Sequence, residues 1–152
     1  MRFSDALDRS MEDITPPPNL PVGNYIWSVT KHPETNEIAD GRFEKLTFLM
    51  GCISACEDVD PEDLAEYGNV NGTLLRKDFL FSTAEEDATN FERALNNLKR
   101  FIEHCGGDVS SGNMKEALAS IVNAQVMGEL KHRPNPNDPE QVFQEIGRTA
   151  PV

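Results

Sequence analysis

Between Gly23 and Lys31 apolar and polar residues alternate, with Tyr25, Trp27 and Val29 on one parity and Asn24, Ser28 and Thr30 on the other. A period of two places alternate side chains on opposite faces, so this segment predicts a half-buried strand. The alternation returns from Phe43 to about Ala55, where Leu46, Phe48, Met50 and Cys52 oppose Lys45 and Thr47. A third run, Thr73 to Phe81, follows the turn signal Asn71-Gly72. There Leu75, Lys77, Phe79 and Phe81 share one face and Leu74, Arg76 and Leu80 the other. Val122 to Arg133 and Gln141 to Gly147 read as the last two strands, joined by the Pro/Asn-rich loop Pro134 to Pro139. His32 to Phe43, with Pro33, Asn36, Asp40 and Gly41, reads as a loop.

The period changes to that of a helix after Phe81. Ala88, Phe91, Leu95, Leu98, Ile102 and Cys105 recur at spacings of three and four, one apolar stripe ending at Gly106-Gly107. Ser82 and Thr83 each stand three residues before a glutamate, so either can form a capping box. A shorter helix carries Met114, Ala117, Leu118 and Ile121 on one face. A single helical turn fits after Pro61. Phe3, Leu7 and Met11, spaced by four, suggest a short helix or an arm before the stiff Thr15 to Pro21 connector.

The expected fold class is therefore mainly β with helices (α+β). Five strands with a helix between the third and fourth is the order of an oligonucleotide/oligosaccharide-binding (OB) barrel. A flat five-stranded α+β sheet gives a similar string. At 152 residues and 38% hydrophobic content the chain suits one domain, residues 20–152, preceded by the arm and connector, residues 1–19.

Charge and cysteine usage narrow the function. A net charge of −12 opposes duplex binding through bulk positive charge. It leaves room for a local basic groove, because the acids cluster: Glu57, Asp58, Asp60, Glu62, Asp63 and Glu66 lie in one stretch without a Lys or Arg. That acidic stretch is expected to face away from any nucleic-acid cleft. Three cysteines in no disulfide-framework spacing point to a reducing compartment, the cytoplasm or a host-cell cytoplasm. No run is long enough to span a bilayer and no signal-peptide pattern opens the chain, so no membrane role is expected.

Two sites of similar composition stand out. The first strand runs into Lys31-His32-Pro33 and the fourth into Lys131-His132-Arg133-Pro134. In a Greek-key barrel these begin the loops that flank the ligand cleft. Arg42, Lys45, Arg76 and Lys77 are candidates to line the surface between them, and Trp27, Tyr25, Phe43 and Phe79 are candidate stacking platforms for bases. The competing reading makes the cations solvated strand ends and the aromatics core. Cys52, Cys56, His104 and Cys105 include no tight two-residue pair, so buried thiols are expected rather than a zinc site, and no cofactor is expected. The acidic run lacks the glycine and closing glutamate of a calcium hand. No P-loop, dinucleotide glycine pattern or nucleophile elbow occurs, so the chain does not read as an enzyme.

Leu20 to Tyr25, Phe43 to Phe48, Gly72 to Phe81, Asn97 to Phe101 and Gly128 to Arg133 together resemble the phage-encoded single-stranded-DNA-binding proteins of the OB type, over roughly residues 20–150. The resemblance implies a replication or recombination accessory that coats single strands and recruits replication or recombination proteins. Many such proteins recruit partners through an acidic, aromatic-ended tail. Gly147 to Val152 is neither acidic nor aromatic, so that mode is not expected here. The alternative is an acidic interaction or DNA-mimic protein acting on a basic partner, with the N-terminal arm tying it into a homo-oligomer.

Overall fold

A computed structural model describes residues 1–152. The chain forms six antiparallel strands and three α-helices, an α+β architecture. The strands are β1 (Gly23–Val29), β2 (Glu34–Ile38), β3 (Phe43–Ala55), β4 (Leu74–Ser82), β5 (Gln125–Pro134) and β6 (Val142–Ala150). The helices are α1 (Pro61–Tyr67), α2 (Ala88–His104) and α3 (Met114–Ser120). The sheet order is β2-β3-β1-β5-β6, with β4 on the other edge of β3.

Alternation explains the strands. Tyr25, Trp27 and Val29 on β1 and Phe48 and Met50 on β3 have no exposed surface, while the residues between them, Ile26, Ser28 and Leu49, are half-buried. These residues form one core with Leu98, Phe101 and Ile102 of α2, Val126 and Leu130 of β5, and Ile146 of β6. Polar groups carried into that core are matched: the Tyr25 hydroxyl donates to the Pro21 carbonyl at 2.6 Å and the Trp27 indole to the Gly128 carbonyl at 3.1 Å.

Two ladders shift register, β1/β3 between Ile26 and Trp27 and β5/β6 between Gly128 and Leu130. Such bulges bend a sheet and increase its twist. The sheet curls until the free edges of β4 and β6 approach each other, but no ladder joins them. The sheet is open. A side chain spans the seam instead: Lys77 Nζ on β4 donates to the carbonyls of Ile146 (3.0 Å) and Gly147 (3.2 Å) on β6.

The helices start and stop for local reasons. Asp60 caps α1 by accepting from the Glu62 amide, with Pro61 in the first turn. Asn113 caps α3 through the Glu116 amide at 2.9 Å. At the end of α2 the chain turns through Gly106 at φ +83°, a left-handed value that favours glycine, and the Gly107 amide returns to the Ile102 carbonyl.

Three expectations are corrected. The segment expected as a loop after His32 contains β2, which pairs Glu34–Ile38 with Phe43–Thr47, so there are six strands and not five. The expected capping box is absent: Thr83 donates its hydroxyl to the Gly41 carbonyl, Ser82 accepts from Ala84, and a 3-10 turn at Glu85–Asp87 leads into α2. The fourth strand starts at Gln125, because Asn123 at φ +69° turns the chain first. The N-terminal segment, read as a short helix or an arm, forms two 3-10 turns, Phe3–Ala6 and Met11–Asp13, with Phe3, Leu7 and Met11 exposed. Leu20, 1% exposed, is where the core begins.

Candidate nucleic-acid interface

The outward parity of β3 and β4 builds a polar face. Cross-strand pairing sets Lys45 beside Leu80, Thr47 beside Asp78 and Leu49 beside Arg76, and β2 adds Asn36 beside Lys45 and Glu34 beside Thr47. Lys31, Lys45 and Arg76 line one shallow cleft of about 180 Å³ on this face, with Thr47 and Leu49 at its floor. Lys31 is paired with Glu34 at 3.1 Å, whereas Lys45 and Arg76 are in no ion pair. The Asp78 carboxylate is occupied by the Thr47 hydroxyl at 2.6 Å. The result is a small surface with free cations and exposed apolar groups, Leu80 and Leu74 among them.

Arg42 stands in the turn between β2 and β3, its Nε donating to the Ala39 carbonyl at 3.0 Å. Phe43 follows it at the start of β3 and is exposed. His32 lies beyond β1, with Nδ1 3.0 Å from the Pro33 carbonyl.

The second cationic group lies elsewhere. Because β1 and β5 are antiparallel with Gly23 opposite Leu130 and Ser28 opposite Gln125, Lys31 and Lys131 fall at opposite ends of this pair. At about 3.3 Å per residue the two Lys-His segments are separated by roughly 30 Å along the strands. Lys131 lies 3.4 Å from Glu129, and Arg133 lies 3.7 Å from Glu145 with its guanidinium over the Phe143 ring. His132 Nε2 is 2.7 Å from the Leu20 carbonyl. Asp58 of the acidic stretch lines the same depression as Lys131 and His132, held by the Asn24 amide and side chain. The acidic stretch therefore borders one of the two basic segments and does not face away from both.

Several aromatic candidates are withdrawn by burial. Trp27 and Tyr25 have no exposed surface and their polar atoms are engaged inside the core. Phe79 is half-buried, edge-on to Phe48 and tilted on Phe101 at ring-centroid distances of 5.8 and 5.5 Å. Lys77 is likewise not a surface cation. Its parity is inward, two of its three ammonium N–H bonds go to the β6 carbonyls, and burial pulls its pKa below the ordinary lysine value. The remaining exposed aromatics near the cations are Phe43 and Phe143.

No protein-family model matches the chain, and comparison with curated proteins finds no similar sequence.

Sequence reasoning missed a further cluster. A groove of about 580 Å³ runs between β4, α2 and β6, along the unpaired seam, and Arg100, His104 and Arg148 line it with Lys77. The signal was present on α2, where Asn97, Arg100 and His104 recur beside the apolar stripe, but Arg148 lay beyond the expected end of β6. The thiols Cys52 and Cys105 belong to the core, and no group of His, Cys, Asp or Glu side chains has a metal-holding arrangement. No helix is long and apolar enough to cross a membrane.

Proposed function

We propose that this protein binds single-stranded DNA without strong sequence preference, through the outward face of β3 and β4, as an accessory of viral replication or recombination. The observation that carries the reading is the strand connectivity. With β2 set aside as an added hairpin arm, β1 pairs with both β3 and β5, β3 with β4, and β5 with β6. That is the connectivity of an OB-like barrel, and β4 facing β6 across an unladdered seam is consistent with it.

In such a fold the ligand crosses the second and third strands, here β3 and β4. Lys45 and Arg76, with Lys31 at the margin, offer phosphate contacts on that face, and Phe43, Leu49 and Leu80 offer surfaces on which bases stack or rest. Without Trp27 and Tyr25, affinity rests on charge more than stacking, which predicts steep salt dependence.

The test is a titration of the whole chain with labelled oligo-dT of about 30 nucleotides and with duplex of equal length, at two salt concentrations. Tighter binding of the single strand, weakening with salt, supports the reading. No binding of oligo-dT at low salt overturns it.

A further inference from the structure

We infer that the groove between β4, α2 and β6 is a separate binding site for a phosphate-bearing ligand, a free nucleotide or the terminal phosphate of a strand. It lies on the seam of the sheet and shares only its rim, Asp78 and Leu80, with the outward face of β3 and β4, so its cations are separate from those of the function proposed above.

The groove exists because β4 pairs only with β3 and β6 only with β5, which leaves a gap that α2 covers without filling. Its cations come from three elements: Lys77 from β4, Arg100 from α2 and Arg148 from β6. Convergence from three elements means that the fold, and not a local run of sequence, concentrates charge here. In a chain with 26 acidic and 14 basic residues, surface arginines have abundant carboxylates to pair with. Arg100 and Arg148, like most cations of this chain, take part in no ion pair, so their guanidinium groups are open to a ligand. The one carboxylate on the lining, Asp78, is on the outward parity of β4 and holds the Thr47 hydroxyl.

The fixed groups around these arginines are arranged for an anion. Lys77 gives two of its three N–H bonds to the Ile146 and Gly147 carbonyls, which immobilises the ammonium and leaves one donor. His104 Nδ1 is 2.7 Å from the Thr149 hydroxyl, which leaves its other ring nitrogen unengaged. Asn97 adds an amide one helical turn away. Two guanidinium forks and an ammonium lining one groove are donors of the kind a phosphate takes, and the planar fork suits phosphate better than a simple point charge does. The wall formed by Phe79 and Leu80 supplies an apolar surface beside the cations, as a base or sugar attached to that phosphate requires.

The experiment follows amide and side-chain NMR shifts, or heat, as the whole chain is titrated at low salt with inorganic phosphate, thymidine monophosphate, and 5′-phosphorylated and 5′-hydroxyl oligo-dT. Arg100→Gln with Arg148→Gln should weaken thymidine monophosphate by at least about tenfold, the scale of a lost charge-assisted contact. Lys45→Gln with Arg76→Gln should leave that affinity within about twofold, because substitutions at separate sites act independently. Both arginines are exposed, and an unchanged Trp27 fluorescence maximum checks that the variant is folded. A preference for the phosphorylated oligonucleotide that disappears in the arginine variant identifies a strand end. Equal binding of the two oligonucleotides, with retained thymidine monophosphate binding, identifies a free nucleotide. Wild-type affinity in the arginine variant overturns the site, as does binding of an oligo-glutamate peptide with none of phosphate or nucleotide. Failure of the β3–β4 reading shows instead as no binding of 5′-hydroxyl oligo-dT with the nucleotide titration intact.

Discussion

The indole N–H of Trp27 donates to the carbonyl of Gly128 on the neighbouring strand, 3.1 Å away, from a ring with no exposed surface. The bond is possible because Gly128 has no side chain. A Cβ at that position would stand 3.0 Å from Trp27 Cδ1 and 2.7 Å from Ile146 Cγ2. Both neighbours are buried, so neither can swing into solvent.

Gly128→Ala should therefore destabilise the fold by about 1–3 kcal/mol, the range of an overpacked core. Urea melts followed by tryptophan emission test this, since the chain has a single tryptophan. A native midpoint with unshifted emission would mean that the indole contact is looser than the geometry states.

Leu98 is 2% exposed at the centre of the α2 stripe. Leu98→Ala removes methyl groups from a packed site and should cost about 2–5 kcal/mol. A loss under about 0.5 kcal/mol, the scale of an exposed substitution, would put the stripe at the surface.

If the outward face of β3 and β4 is the DNA surface, replacing Lys31, Lys45 and Arg76 by Gln should flatten the slope of log affinity against log salt. Each lost contact with a single strand accounts for about 0.7, so the change should be about 1.4 from Lys45 and Arg76, with less from Lys31, which already lies 3.1 Å from Glu34. Lys131→Gln with Arg133→Gln should change it less, because both cations already lie within 4 Å of glutamates. A larger effect from the second pair than from the first three would move the interface to the β5–β6 hairpin.

Stability should fall under alkaline conditions. Burial pushes the Cys52 thiol from 9.0 up to about 11, the Cys105 thiol up to about 12 and the Tyr25 hydroxyl up to about 12. The native state thus holds these protons more tightly than the unfolded chain. Their contribution is complete below pH 9.0 and is lost as pH rises towards about 11 and 12. Lys77, with its pKa lowered by burial, acts in the opposite sense just below 10.5, one group against three. Urea midpoints measured from pH 8 to pH 10.5 should decline, and Cys52→Ala with Cys105→Ala should make the decline shallower. An equal decline in the double variant would assign the effect to other groups.

Wherever one face of an element is buried, its period was legible. Tyr25, Trp27 and Val29, or Leu46, Phe48 and Met50, announce their strands because each must turn inward. The same logic failed for Glu34–Ile38, whose residues are exposed except for half-buried Ile38, so no apolar rhythm marks the strand. Only the free edge of β3, which β1 leaves open beyond Met50, brings it into the sheet. The candidate site was legible in its cations but not in its aromatics. An aromatic residue on an alternating strand suits either face by composition, and β1 turned Trp27 inward. Register alone decided that Lys31 and Lys131 would stand far apart.

The hairpin arm β2 has a consequence for how these molecules meet one another. It is an end strand of the sheet, and an end strand with unpaired backbone groups is a template on which another molecule's strand can add. Here that rim is only five residues long and carries Glu34 and Glu37, both exposed. A second molecule approaching rim to rim would set carboxylates against carboxylates and gain few backbone bonds in return. The added arm thus makes this rim a poor template for strand addition by a second molecule.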